Sequence, residues 1–115
     1  PKEAATWYQK YVDKAGGNKQ REQAGYLGLG AALEDAGQFG PAADAYAKSA
    51  DRAPTDNERG RALLAEARSY TRAGQTQKAV ELYTKIAALP GAEIPIKDAA
   101  NMPLGELSVT APAAH

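Results

Sequence analysis

Small and bulky apolar residues follow one arrangement that occurs twice along the chain. Tyr26-x-x-Leu29-Gly30-x-x-Leu33 leads to Gly37, Phe39, Ala42, Tyr46, Ser49 and Pro54. At an offset of 37 residues, Leu63-x-x-Glu66-Ala67-x-x-Tyr70 leads to Gly74, Thr76, Ala79, Tyr83, Ile86 and Gly91, with Pro90 one place early. Between these markers Ala, Leu, Glu, Lys, Arg and Gln dominate residues 19–36, 41–53, 58–73 and 76–89, which predicts four helices. The punctuation agrees with that division. Thr55-x-x-Glu58 has the form of a capping box, and Pro41 suits a first helical turn. Gly37 and Gly74 stand where a left-handed residue closes a helix. Small residues at Gly30, Ala42, Ala67 and Ala79 let helix axes approach closely, and Tyr46 and Tyr83 fill the wedges that remain.

A period of this size marks stacked helical hairpins. The two matches resemble the tetratricopeptide repeat, an antiparallel helix pair of about 34 residues. Its signature is aromatic-x2-Leu-Gly-x2-Tyr, then Ala-x3-Phe, a small residue and a closing Pro. Repeat 1 covers residues 19–56, with its signature from residue 23, and repeat 2 covers residues 57–91, with its signature from residue 60. The resemblance implies one all-α domain, a right-handed superhelix of about five or six helices. Glu66 stands where the family has Leu, so shallower packing is expected in the middle of that helix. The extra residues between repeats fall in the turn-rich Pro54-Thr55-Asp56-Asn57.

Both ends look like parts of further repeats. Ala4-x-x-x-Tyr8-x-x-Tyr11 has the spacing of Ala42, Tyr46 and Ser49, so residues 2–15 read as the second helix of a preceding repeat. Gly16-Gly17-Asn18 would close it and cap the next. Tyr8 and Tyr11 are expected to be buried against repeat 1, while Trp7 points to a different face. Residues 92–107 are predicted to form a capping helix in which Leu104-Gly105 echoes Leu29-Gly30. Pro95 suits its start, and Pro103 is expected to kink or split it. The run from Asp98 to Leu107 is also similar to the closing helix of bacterial, membrane-anchored periplasmic repeat proteins that attend protein export and envelope assembly. That likeness implies a periplasmic location within a longer protein, with the cytoplasm as the alternative. The opening at Pro1, directly in helix-like sequence, agrees with a chain cut from a longer one. Residues 108–115 are expected to form a flexible tail.

Composition narrows the function. Hydrophobic residues make up 43% but lean on alanine, with one Phe, one Trp and one Met, which suits many small helix contacts better than one deep core. Fourteen acids balance fourteen bases, so no global field favours nucleic acid or an anionic membrane. No apolar run approaches the roughly 18 residues of a membrane span. Cysteine is absent and the single histidine, His115, sits at the chain end, which leaves few ligands for a transition metal and no paired nucleophile and base. Gly25, Gly28 and Gly30 lie on one helical stretch, where close packing explains them better than phosphate binding. The adjacent acids Glu34 and Asp35 read as a solvated helix face. A non-catalytic protein without cofactor or metal is expected.

Neutrality hides alternating blocks of charge. Residues 1–22 carry net +2, residues 23–56 net −3, residues 57–91 net +3 and residues 92–115 net −2. In the repeat family the first helix of each repeat lines a concave groove that holds the partner. The resemblance places Ala24, Leu27, Ala31, Glu34 and Asp35 there from repeat 1, and Arg61, Leu64, Arg68, Thr71 and Arg72 from repeat 2. Arg61, Arg68 and Arg72 recur at seven and four residues, along one side of a helix. Such a line suits an acidic peptide, because a guanidinium grips a carboxylate at two points. The competing expectation is a solvated face pairing with Glu58, Glu66 or the acids of repeat 1. The family's clamp for chaperone C-termini is disfavoured, since Leu27 and Ala31 stand where it has Lys and Asn. The expected role is therefore binding of another protein or peptide. The alternative is self-association, for example as a homodimer, with the groove empty or filled by the chain's own tail.

Overall fold

The computed structural model describes residues 2–110; the chain end that carries His115, and with it most of the expected tail, lies outside the described residues. Within them the chain is all-α. It forms α1 (Lys2–Asp13), α2 (Lys19–Asp35), α3 (Phe39–Asp51), α4 (Asp56–Arg72), α5 (Thr76–Ala87) and α6 (Ile94–Thr110), with no strand among the described residues. The internal period survives as geometry: α2 and α4 both have 17 residues and start 37 apart, and α3 and α5 also start 37 apart. None of the described helices is long and apolar enough to cross a membrane.

Local chemistry sets these boundaries. Asn18 Oδ1 accepts the Arg21 amide at 3.0 Å to open α2, and Thr55 Oγ1 accepts the Glu58 amide at 3.1 Å to open α4. Only that arm of the expected capping box is made, because the Glu58 carboxylate instead accepts Gln23 Nε2 at 3.3 Å across to α2. Gly37 and Gly74 take φ of 76° and 81°, and the residue after each donates back to Leu33 O and Tyr70 O, closing α2 and α4.

Each helix packs against the next in sequence, so α3 lies against both α2 and α4, and α5 against both α4 and α6. The result is elongated, 44 × 30 × 21 Å. The direction of α3 is fixed by its bonds to α2: Tyr46 reaches Glu34 near the end of α2, while Ser49 Oγ reaches Gln23 O near its start. The two helices are thus antiparallel. Small residues hold the axes close, with Ala42, Tyr46 and Ala65 clustered between α2, α3 and α4. A larger cluster around Leu63, Ala67, Tyr83, Ile86, Ile96 and Ala100 joins α4, α5 and α6.

Three expectations change. Glu66 does not mark shallow packing: it is only 7% exposed, because α3 and α5 close over α4 across the alanines that flank it. Pro103 does not split the last helix, which runs unbroken through it and past Leu107 to Thr110. Proline removes a single amide donor, and Ile96, Ala100, Leu104 and Leu107 tie one face of α6 to the core on both sides of it. The aromatic residues of α1 are only partly buried. Tyr8 lies on Gly28 and Tyr11 near Gly25, while Trp7 stays 59% exposed, stacked on Tyr11 at 5.7 Å.

Burial of Glu66 has a consequence for stability. Desolvation pushes its carboxyl up to about 7, opposed by Lys85 on α5 and reinforced by Asp51 and Asp44 on α3. A raised carboxyl favours the protonated folded state, so its contribution is present in acid and lost as pH rises from the ordinary carboxylate range through about 7. Glu66→Gln is expected to leave stability at pH 4 nearly unchanged and to raise it at pH 8 by about 1–2 kcal/mol, read from urea midpoints. Equal effects at both pH values would show that folding does not raise the Glu66 carboxyl.

Candidate functional site

Helices α2 and α4 face each other through long side chains that link residues 34 or 35 apart. Gln23 meets Glu58 at one end, and Glu34 meets Arg68 at the other. Arg61 follows Leu27 in sequence by the same 34 residues that separate Arg68 from Glu34. The exposed surface of these two helices therefore brings together most of the sequence candidates.

Glu34 is its most connected residue. Its carboxylate accepts Tyr46 Oη at 2.8 Å, Arg68 Nη2 at 3.0 Å and Arg68 Nε at 2.9 Å, with Arg72 Nη1 farther out at 3.4 Å. The side chain is only 11% exposed, while those of both arginines remain about half exposed, at 53% and 54%. Three side chains, with four donor atoms between them, converge on one carboxylate here. The Arg68 hydrogen bonds hold Glu34 below its usual carboxylate range despite burial, with Tyr46 helping. Burial raises the Tyr46 phenol, and the Glu34 carboxylate raises it further. The Arg68 guanidinium is held charged by Glu34. The sign is opposite to that of Glu66: Glu34 stabilises the fold above the carboxylate range and loses that contribution on acidification.

The arginine line thus divides. Arg68 presents the Nε/Nη2 edge of its fork to Glu34, and Arg72 lies across the Phe39 ring at 4.5 Å. Glu58 and Glu66, the other acids considered as partners, take no part in these ion pairs. Arg61 is exposed and makes no ion pair with the described residues. Leu27 is 42% exposed, and Ala24 and Ala31 are exposed one turn to either side. Leu64 is half-buried against the core, while Thr71 is exposed and donates its hydroxyl to Ala67 O. Asp35 does not join the arginines and instead borders a hollow with Lys2, Glu3 and Ala36.

The segment after Gly91 does run beside α4, but on its other side. Asp56 and Asn57 accept the amides of Gly91 and Glu93 at 2.9 and 3.1 Å, and Ile96 lies against Gly60. Arg61 and Arg68 stay exposed among the described residues.

Sequence reasoning missed the role of Tyr46 as a donor to Glu34, having assigned it to wedge filling alone. The signal was available, since Glu34 is an acid one turn beyond Gly30, the residue on which Tyr46 packs. Searches against protein-family models, curated proteins and solved structures return no match for this chain.

Proposed function

We propose that the chain is a non-catalytic interaction scaffold of the tetratricopeptide type, a right-handed superhelix that binds a peptide or protein segment along α2 and α4. The carrying observation is the strip formed by Leu27, Ala31 and Arg61. Leu27 and Ala31 on α2 and Arg61 on α4 are all exposed, and Arg61 has no ion-pair partner among the described residues. An exposed apolar strip bordered by charge is the usual make-up of a recognition surface. The duplicated 17-residue helices at a 37-residue offset support the repeat architecture.

The partner segment carries an acidic residue for Arg61 and an apolar residue for Leu27. Arg68 and Arg72 form the far rim, and Glu34 holds them in place rather than leaving them to the ligand. An array of glutamate-rich and neutral peptides tests this. Arg61→Glu is expected to weaken the glutamate-rich set by about tenfold or more, through loss of one charge contact and gain of a repulsive one. Glu34→Gln, which loosens Arg68, is expected to strengthen the same set. If both variants bind every peptide as the unmodified chain does, the arginine-bearing strip is not the binding surface.

A further inference from the structure

One polar side chain breaks the pattern shared by α2, α4 and α6. The eleventh residue of α2 is Leu29 and that of α6 is Leu104, both packed inward, whereas the eleventh of α4 is Glu66. Glu66 is only 7% exposed, yet its carboxyl makes no hydrogen bond or ion pair with the described residues. One turn further on, Ser69 is fully buried and its hydroxyl also has no hydrogen-bond partner. Unmet polar atoms weaken a packed joint, because each keeps the cost of leaving water.

The joint concerned is the one between the two repeats, where α3 and α5 both pack on α4. The two outer helices carry opposite charge towards it. Asp44 and Asp51 stand seven residues apart on α3, hence on one side of it, and Lys78 and Lys85 stand seven apart on α5. Lys85 attracts the Glu66 carboxylate from α5, while Asp51 and Asp44 repel it from α3. One turn along α4, Tyr70 also feels Asp44, and Lys78 Nζ lies 5.2 Å from the centre of its ring. All four flanking charges are exposed, and no ion pair joins α3 to α5 among the described residues. Lys48 and Arg52, at the end of α3, lie over Tyr26 of α2 instead.

We propose that Glu66 is a proton switch in the joint between the two repeats, with Lys85 as the partner it takes when ionised. Neutral, the carboxyl stays buried without a partner, as the structure shows it. Ionised, an unpaired carboxylate is too costly to leave there. The flexible stem of Lys85 lets its ammonium swing in to pair, while Asp51 and Asp44 push the carboxylate from the α3 side. Both forces draw α4 towards α5 and away from α3, so repeat 2 shifts against repeat 1. Burial pushes the carboxyl up to about 7, which sets the change near neutral pH. The switch is separate from the Leu27–Arg61 strip and stands whether or not that strip binds a peptide.

NMR of the isotope-labelled 115-residue chain between about pH 5 and pH 9 tests the proposal. The Glu66 carboxyl carbon, the Lys85 ammonium and backbone amides of α3 and α5 are expected to titrate with one midpoint at about 7, with α1 unmoved. Asp51→Asn is expected to lower the proton affinity of Glu66 and Lys85→Gln to raise it, each by about threefold or more. Glu66→Gln is expected to abolish the transition and to hold the amides at their low-pH positions. Circular dichroism at about pH 9 separates a shift of the repeats from unfolding, because the helix signal is expected to persist. A Glu66 midpoint in the ordinary carboxylate range would overturn the proposal. So would a carboxyl that titrates without moving the amides of α3 and α5, a midpoint insensitive to Lys85→Gln, or wholesale loss of helix at about pH 9.

Discussion

Gly30→Leu is expected to cost about 3 kcal/mol or more, a large share of the stability of a domain this size. An added Cβ at Gly30 already falls 2.7 Å from two atoms of the Tyr46 ring, and a leucine side chain needs more room still. The ring cannot move aside cheaply. It is buried among Ala42 and Ala65, and its hydroxyl is held by Glu34 at 2.8 Å. Displacing it would also strip one donor from the carboxylate that organises Arg68 and Arg72. Gly30→Ala should be much milder, because alanine gains about 1 kcal/mol of helix propensity over glycine against a smaller clash. Ala67 fills the same place in α4. The check is the urea midpoint at constant m-value. A leucine variant as stable as the alanine variant would show that Tyr46 has room to retreat.

Ile86→Ala is expected to cost about 2–5 kcal/mol, the range for emptying a fully buried aliphatic site. Ile86 has no solvent exposure and sits in the cluster that joins α4, α5 and α6. Much of that cluster is alanine, so few large neighbours can collapse into the space left. The loss should also loosen α6, whose Ile96 and Ala100 belong to the same cluster. Amide exchange is the discriminating measurement: protection should fall in α5 and α6 more than in α1. A uniform loss would mean that the whole chain opens as one unit.

The sequence made much of this organisation legible for a specific reason. Helix ends are written in local chemistry, so Asn18, Thr55, Gly37 and Gly74 mark them without tertiary help. The offset of 37 then shows which residues must play equal parts. What it does not encode is how far a tolerated exception departs from its repeat. Glu66 takes the place of a leucine, yet it is buried, since its depth is set by how closely α3 and α5 approach and not by its own polarity. Pro103 is a helix breaker by propensity, yet α6 continues because packing on both sides outweighs one lost hydrogen bond. The candidate site was legible as a line of positions but not as a set of partners. Spacing put Arg61, Arg68 and Arg72 on one side of α4. Only the packing of α2 beside α4 distinguishes the two arginines held by Glu34 from the one left to solvent.

Titration of the isotope-labelled chain with a glutamate-rich peptide, followed by backbone amide shifts, tests the binding surface most directly. Saturable shifts are expected at Leu27, Ala31, Arg61 and Arg68 on α2 and α4, with α5 unmoved and the response weakened by salt. Shifts confined to other helices, or none at millimolar peptide, would contradict the placement of the binding surface on α2 and α4.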